Sequence, residues 1–279
     1  MRNYSFSSQE MDLTTIALLC FIMYFLPIIL PRHSRLRFYS CYTSYVTVTL
    51  TTCLILYPLQ ILLPSKAYRI PETVAELFSK VLGIEWEIRN QSILEKYKNT
   101  VIVINHQSMF DFLGSIMVFR PIIKYIPAVK KEIQYVFPLG QTMKLFNVAF
   151  IDRKNNPHLA KALLKEKFMD KEKNLIIYPE GTRNHYGEPF LPFKKGAFRI
   201  AVEFKRPIIP VVISPYYFIK PGKFTGGKII ISLLEPIDTV GLNETDINDL
   251  TERTRELMEK EYIKLKKEVM LNSEDDRTR

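Results

Sequence analysis

Cysteine is scarce in this chain of 279 residues, which has only Cys20, Cys41 and Cys53. All three lie in or beside long apolar segments, so the sequence excludes the disulfide framework that holds many small secreted domains together. This pattern favours a catalytic portion that faces a reducing compartment. Three N-glycosylation sequons point instead to a lumenal location, but such short motifs are weak indicators.

Glycine and histidine are also few, with 10 and 4 residues respectively. The glycines and the 17 prolines follow no period, which excludes collagen-like and repeat architectures. Histidines and cysteines show no metal-ligand spacing, so we predict no bound metal. The 47% hydrophobic and 24% charged content is typical of a globular chain with one full core.

Two long segments near the N-terminus contain no charged residue, Leu13 to Leu30 and Phe38 to Pro64. At ~1.5 Å per helical residue, each is long enough to cross most of a bilayer. A cleaved signal peptide is the alternative for the first segment, but a basic n-region and a cleavage-site pattern are missing. We therefore predict membrane-embedded segments over residues 1–66 and a catalytic α/β domain over residues 67–279.

Basic residues flank the second apolar segment on both sides. They are Arg32, Arg35 and Arg37 before it and Lys66, Arg69 and Lys80 after it. The positive-inside rule therefore gives no clear two-span orientation. Each segment also contains a proline, which frees backbone groups that need partners in lipid. Our hypothesis is a helical hairpin that enters one leaflet and returns, with both basic clusters at the same headgroup surface.

The formal net charge of +10 requires an explanation. Nucleic acid, anionic lipid headgroups and a phosphorylated substrate are the three candidate partners. The sequence has no zinc-finger spacing and no recognised nucleic-acid motif, so we predict no nucleic-acid partner. The apolar segments favour membrane lipids and a phosphorylated substrate.

The composition after Pro64 is that of an α/β domain. Strand-like runs are Gly83 to Arg89, Thr100 to Asn105, Asn147 to Asp152, Asn174 to Tyr178, Ile208 to Ile213 and Lys228 to Leu234. Helical stretches are Pro71 to Leu82, Asn156 to Asp170 and Gly196 to Phe204. This alternation predicts an α/β fold with a mainly parallel, twisted sheet flanked by helices. The tail, Glu244 to Val269, predicts an amphipathic helix that packs on the domain, because its polar face mixes both signs.

The stretch NHQSMFD places His106 directly after a predicted strand, with Asp111 five residues further on. Ser108 and Asp111 have capping-box spacing, which by itself predicts only a helix that begins after Ser108 as N-cap. The same geometry turns Asp111 back toward His106, where its carboxylate accepts the Nδ1 proton and leaves Nε2 as a base. Ser108 as a covalent nucleophile is the alternative, but the G-x-S-x-G elbow is missing.

Charged residues follow two other predicted strands. Arg153 ends FIDR, and Glu180, Gly181 and Arg183 lie in PEGTRN. Solvated loop charge is the alternative for either arginine alone. Two guanidinium groups at neighbouring strand ends can together grip a phosphate dianion. The run Lys194-Lys195-Gly196 then precedes a helix and offers further contacts to phosphate oxygens.

These motifs carry a family resemblance. His106-x4-Asp111, FIDR, PEGTR and the apolar run Pro207 to Pro215 follow the order of the four sequence blocks of glycerolipid acyltransferases. Over roughly residues 100–242 the chain resembles the 1-acylglycerol-3-phosphate acyltransferases of the eukaryotic endoplasmic reticulum. It departs from the usual pattern at Asn147, where the second block commonly begins with glycine, and at Tyr178, where the third block commonly has phenylalanine.

The resemblance implies a role for each block. It implies that His106 is the catalytic base with Asp111 as its partner, and that the acceptor phosphate is bound by Arg153, Glu180, Gly181, Thr182 and Arg183, with possible further phosphate or coenzyme A contacts from Lys194 and Lys195. We also expect N–H groups at the start of the Ser108 helix to stabilise the oxyanion.

The resemblance further implies transfer of a fatty acyl group from acyl-CoA to the sn-2 hydroxyl of lysophosphatidic acid, giving phosphatidic acid. It implies no cofactor beyond acyl-CoA as co-substrate and a location in the endoplasmic reticulum membrane with the catalytic domain facing the cytosol. Alternatives are glycerol-3-phosphate or another lysophospholipid as acceptor, a lipid hydrolase, and a non-catalytic, membrane-shaping protein that binds lipid.

Overall fold

The computed structural model describes residues 12–120, 124–152, 173–185 and 187–275. Its helices are α1 (Leu13–Ile29), α2 (Arg35–Leu62), α3 (Pro64–Ala67), α4 (Ile70–Leu82), α5 (Ile93–Lys96), α6 (Asp111–Val118), α7 (Leu139–Leu145), α8 (Gly196–Glu203) and α9 (Ile247–Asp275). Its strands are β1 (Ile84–Arg89), β2 (Val101–Ile104), β3 (Tyr125–Lys130), β4 (Ala149–Ile151), β5 (Asn174–Ile177), β6 (Ile208–Ile213), β7 (Ile219–Lys220), β8 (Lys223–Phe224) and β9 (Gly227–Leu233). Short 3-10 helices span Lys131–Tyr135 and Glu244–Asp246.

Seven strands form one sheet in the order β1-β9-β6-β2-β5-β3-β4. All neighbours pair in parallel except β6 and β9, which are antiparallel. The prediction of a mainly parallel sheet flanked by helices is therefore confirmed. Because β2 lies between β6 and β5, the segments that follow these three strands meet at one edge of the sheet, where such folds bind ligands.

The six predicted strands are all present, with bounds that differ by one or two residues. β3 was not predicted, although it pairs with β5 on one side and β4 on the other. The predicted helix Asn156 to Asp170 lies outside the described residues. The other predicted helices correspond to α4, α8 and α9.

Both faces of the sheet are covered, which explains why β2 is apolar at every position. Ile102 and Ile104 belong to a core that includes buried residues of α2, α4 and α6. Val101 and Val103 face the opposite side and belong to a core with α8 and α9. The C-terminal helix α9 therefore packs on the domain as predicted, since Tyr262 and other side chains of it are buried there.

The two predicted apolar segments form the hairpin α1–α2, joined by residues 30–34. One face of α2 packs on the domain, where the Tyr45 ring lies 5.2 Å from that of Phe110 between centroids. The other face leaves Leu54, Ile55 and Leu62 exposed. Among the described helices, α2 is the one long and apolar enough to cross a membrane, and α1 is shorter, with 17 residues.

Three threonine hydroxyls in α2, those of Thr43, Thr49 and Thr51, donate to backbone carbonyls of the same helix. Thr49 donates to the Tyr45 carbonyl at 2.8 Å, and Thr51 donates to the Thr47 carbonyl at the same distance. Such bonds to the preceding turn hide polar groups from an apolar environment. The many threonines are thus compatible with a helix that contacts lipid.

Candidate active site

His106 and Asp111 form a hydrogen-bonded pair at the carboxyl edge of the sheet. His106 Nδ1 lies 2.7 Å from Asp111 Oδ2. Since an ionised carboxylate only accepts, Nδ1 carries the proton and Nε2 keeps its lone pair. The Asp111 side chain is fully buried, whereas that of His106 is 25% exposed. The imidazole is therefore the member of the pair that a substrate can reach.

Asp111 also organises the loop that precedes α6. Its Oδ2 accepts the backbone N–H groups of Gln107 at 2.7 Å and Ser108 at 2.9 Å. The helix begins at Asp111 with Phe110 at the N-cap position, so the prediction of Ser108 as N-cap is wrong. The N–H group of Ser108 is thus already bonded to the Asp111 carboxylate, and the expected oxyanion donors at the helix start stay a prediction. The Ser108 hydroxyl instead accepts the Phe110 N–H at 3.3 Å.

The segment after β5 holds the His106 backbone from both directions. Glu180 Oε1 accepts the His106 N–H at 2.8 Å, and the Asn184 N–H donates to the His106 carbonyl at 2.7 Å. The second Glu180 oxygen accepts the Leu191 N–H at 3.1 Å. The PEGTRN loop therefore fixes the position of the base, a contact that the sequence did not predict.

Glu180 is buried, and burial raises the pKa of its carboxyl above the usual value. The backbone N–H groups of His106 and Leu191 act in the opposite direction because they favour the charged form. Both carboxylate oxygens are thus engaged by the protein backbone. Its predicted role in the acceptor phosphate site stays a prediction.

Tyr178, where the family pattern commonly has phenylalanine, lies against the base. Its ring centroid is 4.3 Å from that of His106, and its hydroxyl lies 2.8 Å from Ser115 Oγ. Burial raises the pKa of the Tyr178 phenol, and the Asp111 carboxylate adds to this effect. The extra hydroxyl therefore has a partner, and the ring limits the movement of the imidazole.

Two residues of the PEGTR loop face outward. Thr182 and Arg183 are exposed, and Arg183 interacts electrostatically with the hydroxyls of Tyr42 and Tyr45 on α2. Gly181 has φ +73°, the left-handed conformation that glycine adopts readily. The structure thus places the exposed Arg183 guanidinium beside the hairpin α1–α2.

Lys194 lies against Gly181. A Cβ at Gly181 would stand 2.6 Å from Lys194 Nζ, so a side chain there would displace the lysine. Lys194 and Lys195 are both exposed and precede α8. The structure therefore brings Lys194 to the PEGTR loop. The predicted phosphate or coenzyme A contacts of Lys194 and Lys195 stay predictions.

The second sequence block, which begins at Asn147 and ends with FIDR, contains β4. Asn147 has φ +57°, so it adopts the left-handed turn for which the family commonly uses glycine. Asp152, just after β4, lies 3.4 Å from Lys131 Nζ. Arg153, the predicted phosphate ligand, lies outside the described residues, and its role stays a prediction.

Two amides beside His106 were missed by the sequence analysis. Asn105 is buried and forms two hydrogen bonds to Ile213, donating at 3.0 Å and accepting at 2.7 Å. Gln107 donates to the Ile213 carbonyl and accepts from the Tyr262 hydroxyl, both at 3.0 Å. These amides join the His106 loop to β6 and α9. Their partners are more than 100 residues away in sequence, so no local signal identifies them.

Tyr216 was also missed. Its hydroxyl and Asp111 Oδ1 are both buried and lack a hydrogen-bond partner among the described residues. Burial raises the pKa of the Tyr216 phenol well above its usual value, and the Asp111 carboxylate is the next cause. The phenol is therefore close to the carboxylate that orients His106. Among the described residues, no group of three histidine, cysteine, aspartate or glutamate side chains is placed to hold a metal ion.

An apolar cavity of about 150 Å³ lies between α2, α4, α6, α7 and β3. Its walls include Val48, Phe78, Leu113 and Val129. Leu113 belongs to the first turn of α6, the helix that begins at Asp111. The cavity therefore lies close to the His106–Asp111 pair and suits part of an aliphatic chain.

Known proteins with sequences similar to this chain are acyltransferases. Residues 85–214 match the family model described as Acyltransferase. The chain is 37% identical over 195 residues to an uncharacterized acyltransferase of Schizosaccharomyces pombe, covering 68% of this chain and 69% of that protein. It is 34% identical, with the same coverage, to the human protein named 1-acyl-sn-glycerol-3-phosphate acyltransferase beta. The chain belongs to the acyltransferase family, and the resemblance drawn from its four blocks is confirmed.

A solved structure shares the fold. The crystal structure of the 1-acyl-sn-glycerophosphate acyltransferase PlsC from Thermotoga maritima matches with a TM-score of 0.65 and 22% sequence identity. The match covers 90% of this chain and 97% of that protein. The match includes most of the chain, so the overall fold is a known one.

Proposed function

We propose that this enzyme transfers a fatty acyl group from acyl-CoA to the sn-2 hydroxyl of lysophosphatidic acid, giving phosphatidic acid. The observation that carries the proposal is the His106–Asp111 pair, with one buried carboxylate and one exposed imidazole beside the Arg183 loop. Relatives named 1-acyl-sn-glycerol-3-phosphate acyltransferase, at 34–35% identity, support this choice of acceptor.

His106 acts as the general base in this scheme. Its Nε2 removes the proton of the sn-2 hydroxyl while the oxygen attacks the thioester carbonyl, a role that suits an imidazole with a usual pKa of about 6.5. Asp111 stabilises the imidazolium that forms, because its Oδ2 accepts from Nδ1. Glu180 and Asn184 hold the His106 backbone in place during the transfer.

The tetrahedral intermediate collapses with loss of the coenzyme A thiolate. A thiol with a usual pKa of about 8.5 leaves with little acid assistance, and the imidazolium returns its proton to the thiolate. The scheme needs no cofactor and no covalent acyl-enzyme. Ser108 does not act as a nucleophile in it.

The acceptor phosphate is bound by the exposed Arg183, with Lys194 beside Gly181 as a further cation. Arginine grips a phosphate through two parallel N–H bonds, which a point charge cannot reproduce. In this proposal, Thr182 and Arg153 also contact the acceptor phosphate. The net charge of +10 favours an anionic substrate at an anionic membrane.

The acyl chains stay in or near lipid. The cavity of about 150 Å³ accepts part of one chain, and the exposed apolar face of α2 contacts the membrane. We place the enzyme in the endoplasmic reticulum membrane with its catalytic domain toward the cytosol. The three free cysteines suit that reducing side.

An acyl-CoA transfer assay over a panel of acceptors tests this function. The purified protein is given lysophosphatidic acid, glycerol-3-phosphate, lysophosphatidylcholine or no acceptor. We expect the highest kcat/KM with lysophosphatidic acid, because it alone combines the free phosphate with an acyl chain. A preference for glycerol-3-phosphate or the choline lipid would reject this acceptor. Release of fatty acid at the same rate without acceptor would show a hydrolase instead.

A further inference from the structure

A second basic site lies where the α1–α2 connector meets the β7–β8 hairpin. An open cavity of about 670 Å³ is lined there by Arg32 and His33 of the connector and by Lys220 and Lys223 of the hairpin. No acidic side chain is among the described residues that line it. We call this space the hairpin cavity.

The hairpin cavity opens at the same sheet edge as His106. Gly227, which lines it, begins β9, and because β9 is antiparallel to β6, with Ile213 opposite Ile231, the start of β9 extends past the carboxyl end of β6. Gly83, also in the lining, precedes β1, which is parallel to β9. In the strand order, β6 and β9 lie on one side of β2, and β5 lies on the other. His106 therefore stands between the hairpin cavity and the PEGTR loop.

Aromatic contacts join the cavity wall to the active-site loop. The Phe224 ring, next to Lys223, lies 5.3 Å from the Phe110 ring between centroids. Phe110 is the residue before Asp111. Tyr217 also lines the cavity, and its partly exposed ring offers a flat surface on which a planar base can stack.

Two exposed lysines face each other across the β7–β8 hairpin. Lys220 and Lys223 are directly opposed in the β7–β8 pairing, where like charges destabilise a hairpin. Neither forms an ion pair with a carboxylate in the part of the chain that the structure describes. Arg35 lies against the turn between them, since a Cβ at Gly222 would stand 3.4 Å from Arg35 Cγ. A bound phosphate would neutralise this repulsion.

We propose that the hairpin cavity binds phosphate groups, and that the nucleotide end of the thioester donor supplies them. This rests on the proposed function, in which acyl-CoA is the donor. The phosphates of coenzyme A are separated from its thioester by the long pantetheine arm, so their site must lie away from His106. The acceptor phosphate is assigned to Arg183 on the other side of the base. The donor and the acceptor therefore approach His106 from opposite sides.

Removing the two opposed lysines tests this site. Lys220→Ala/Lys223→Ala is compared with Lys98→Ala/Lys264→Ala, which changes the net charge equally at exposed positions elsewhere. We expect the first variant to raise the KM for acyl-CoA about tenfold with the acceptor KM unchanged, from lost charge-assisted bonds. An acyl-pantetheine donor, which lacks all the phosphates and the nucleotide, should give equal KM values in this variant and the wild type. A donor KM unchanged, or raised equally in the control variant, overturns the proposal.

Two further experiments distinguish a nucleotide phosphate from a lipid phosphate. They also separate failure of the proposed function from failure of the proposed nucleotide site. In calorimetry, the wild type should bind adenosine 3′,5′-bisphosphate, and the double variant should bind it about tenfold more weakly, whether or not acyl-CoA is a substrate. Failure of the wild type to use acyl-CoA would reject the proposed function, whereas failure to bind the bisphosphate rejects the hairpin cavity as a nucleotide site. Weaker binding of the variant to phosphatidic acid vesicles, with an unchanged donor KM, would show a lipid site and overturn the donor assignment.

Discussion

At the scale of single residues, one carboxylate oxygen of Asp111 holds both the loop before α6 and the imidazole of His106. Asp111 Oδ2 accepts His106 Nδ1 and two backbone N–H groups. Hydrogen bonds to an ionised group contribute about 1.5–3 kcal/mol each, so this atom is a strong constraint on the segment before α6. The orientation of the imidazole is therefore inseparable from the loop conformation.

Arg183→Lys tests the phosphate site at this scale. The substitution keeps the charge and loses the planar fork, so we expect the KM for lysophosphatidic acid to rise by roughly tenfold. The KM for acyl-CoA and the thermal stability should stay near the wild-type values, because Arg183 is exposed. Steady-state kinetics with each substrate varied in turn measure the two constants.

Arg199→Lys is the matched control. Arg199 is exposed on α8 and pairs with Glu244 at 2.9 Å, away from the PEGTR loop. The Arg199→Lys substitution should leave the KM values for lysophosphatidic acid and acyl-CoA unchanged. An unchanged acceptor KM in Arg183→Lys, or an equal rise in the control, would contradict the phosphate assignment.

The sequence predicted the His106–Asp111 contact because both residues belong to one loop and first turn. It misplaced the helix start because a capping box and a carboxylate that reaches back have the same spacing. It missed Gln107, whose hydrogen-bond partners come from other elements, and Tyr216, which the fold brings close to Asp111. Glu180 was predicted as a residue of the phosphate site, but its hydrogen bond to the Leu191 N–H was not, because that bond depends on the fold of the following loop.

At the scale of secondary structure elements, α9 is joined to β1 by a bidentate ion pair. Arg89 Nη1 donates to Glu268 Oε2 at 2.8 Å, and Nη2 contacts the other oxygen. Hydrogen bonding from Arg89 lowers the pKa of Glu268 below its usual value. A lowered carboxyl pKa stabilises the fold above the unfolded pKa, of about 4.3 for glutamate, and this stabilisation is lost as the pH falls.

A double-mutant cycle of Arg89→Gln and Glu268→Gln measures this link. We expect a coupling free energy of about 0.5–1 kcal/mol at pH 7, since the pair is partly exposed. The coupling should disappear at a pH below the folded pKa of Glu268, where the carboxyl is protonated. Denaturant unfolding in detergent gives the free energies.

The Lys264–Glu261 pair on the same helix provides the comparison. Its nitrogen–oxygen distance is 3.4 Å, and Lys264 is largely exposed. Its cycle should give a smaller coupling. Equal coupling for both pairs, or no loss of the Arg89–Glu268 coupling in acid, would contradict a specific anchor between α9 and β1.

The sheet elements were predictable where apolar runs were uninterrupted. β3 was missed because its sequence YIPAVK contains Pro127, and proline is rare in a strand with neighbours on both sides. Pro127 nevertheless pairs in register with Ile176 of β5. Tertiary pairing placed this strand, and the local pattern did not reveal it.

At the scale of the whole molecule, the hairpin α1–α2 shares a core with the catalytic domain. Cys41, Tyr45 and Val48 of α2 belong to the same cluster as Phe78 and Phe110. Arg37 is buried and donates to the carbonyls of Phe224 at 2.9 Å and Leu82 at 3.2 Å. The hairpin therefore holds the active-site edge close to its own connector. Composition identified the apolar segments but not these contacts.

Tags inserted in the connector, residues 30–34, and at the C-terminus test the hairpin hypothesis. The contact of Arg35 with the Gly222 turn places the connector at the surface of the catalytic domain. We expect both tags to be digested by protease added to intact microsomes. Detergent-treated microsomes show that each tag is cleavable. Protection of one tag and digestion of the other would place them on opposite sides and contradict the hypothesis.

The rate of acyl transfer from acyl-CoA to lysophosphatidic acid in His106→Ala tests the role of the base most directly. General-base catalysis contributes about 10²–10⁴-fold, so we expect a loss on the order of 10³-fold in kcat without loss of folding. His185→Ala, an exposed histidine of the neighbouring loop, should retain wild-type activity, and Ser108→Ala should retain most of it. Near wild-type activity in His106→Ala, or an acyl group trapped on Ser108, would contradict this mechanism.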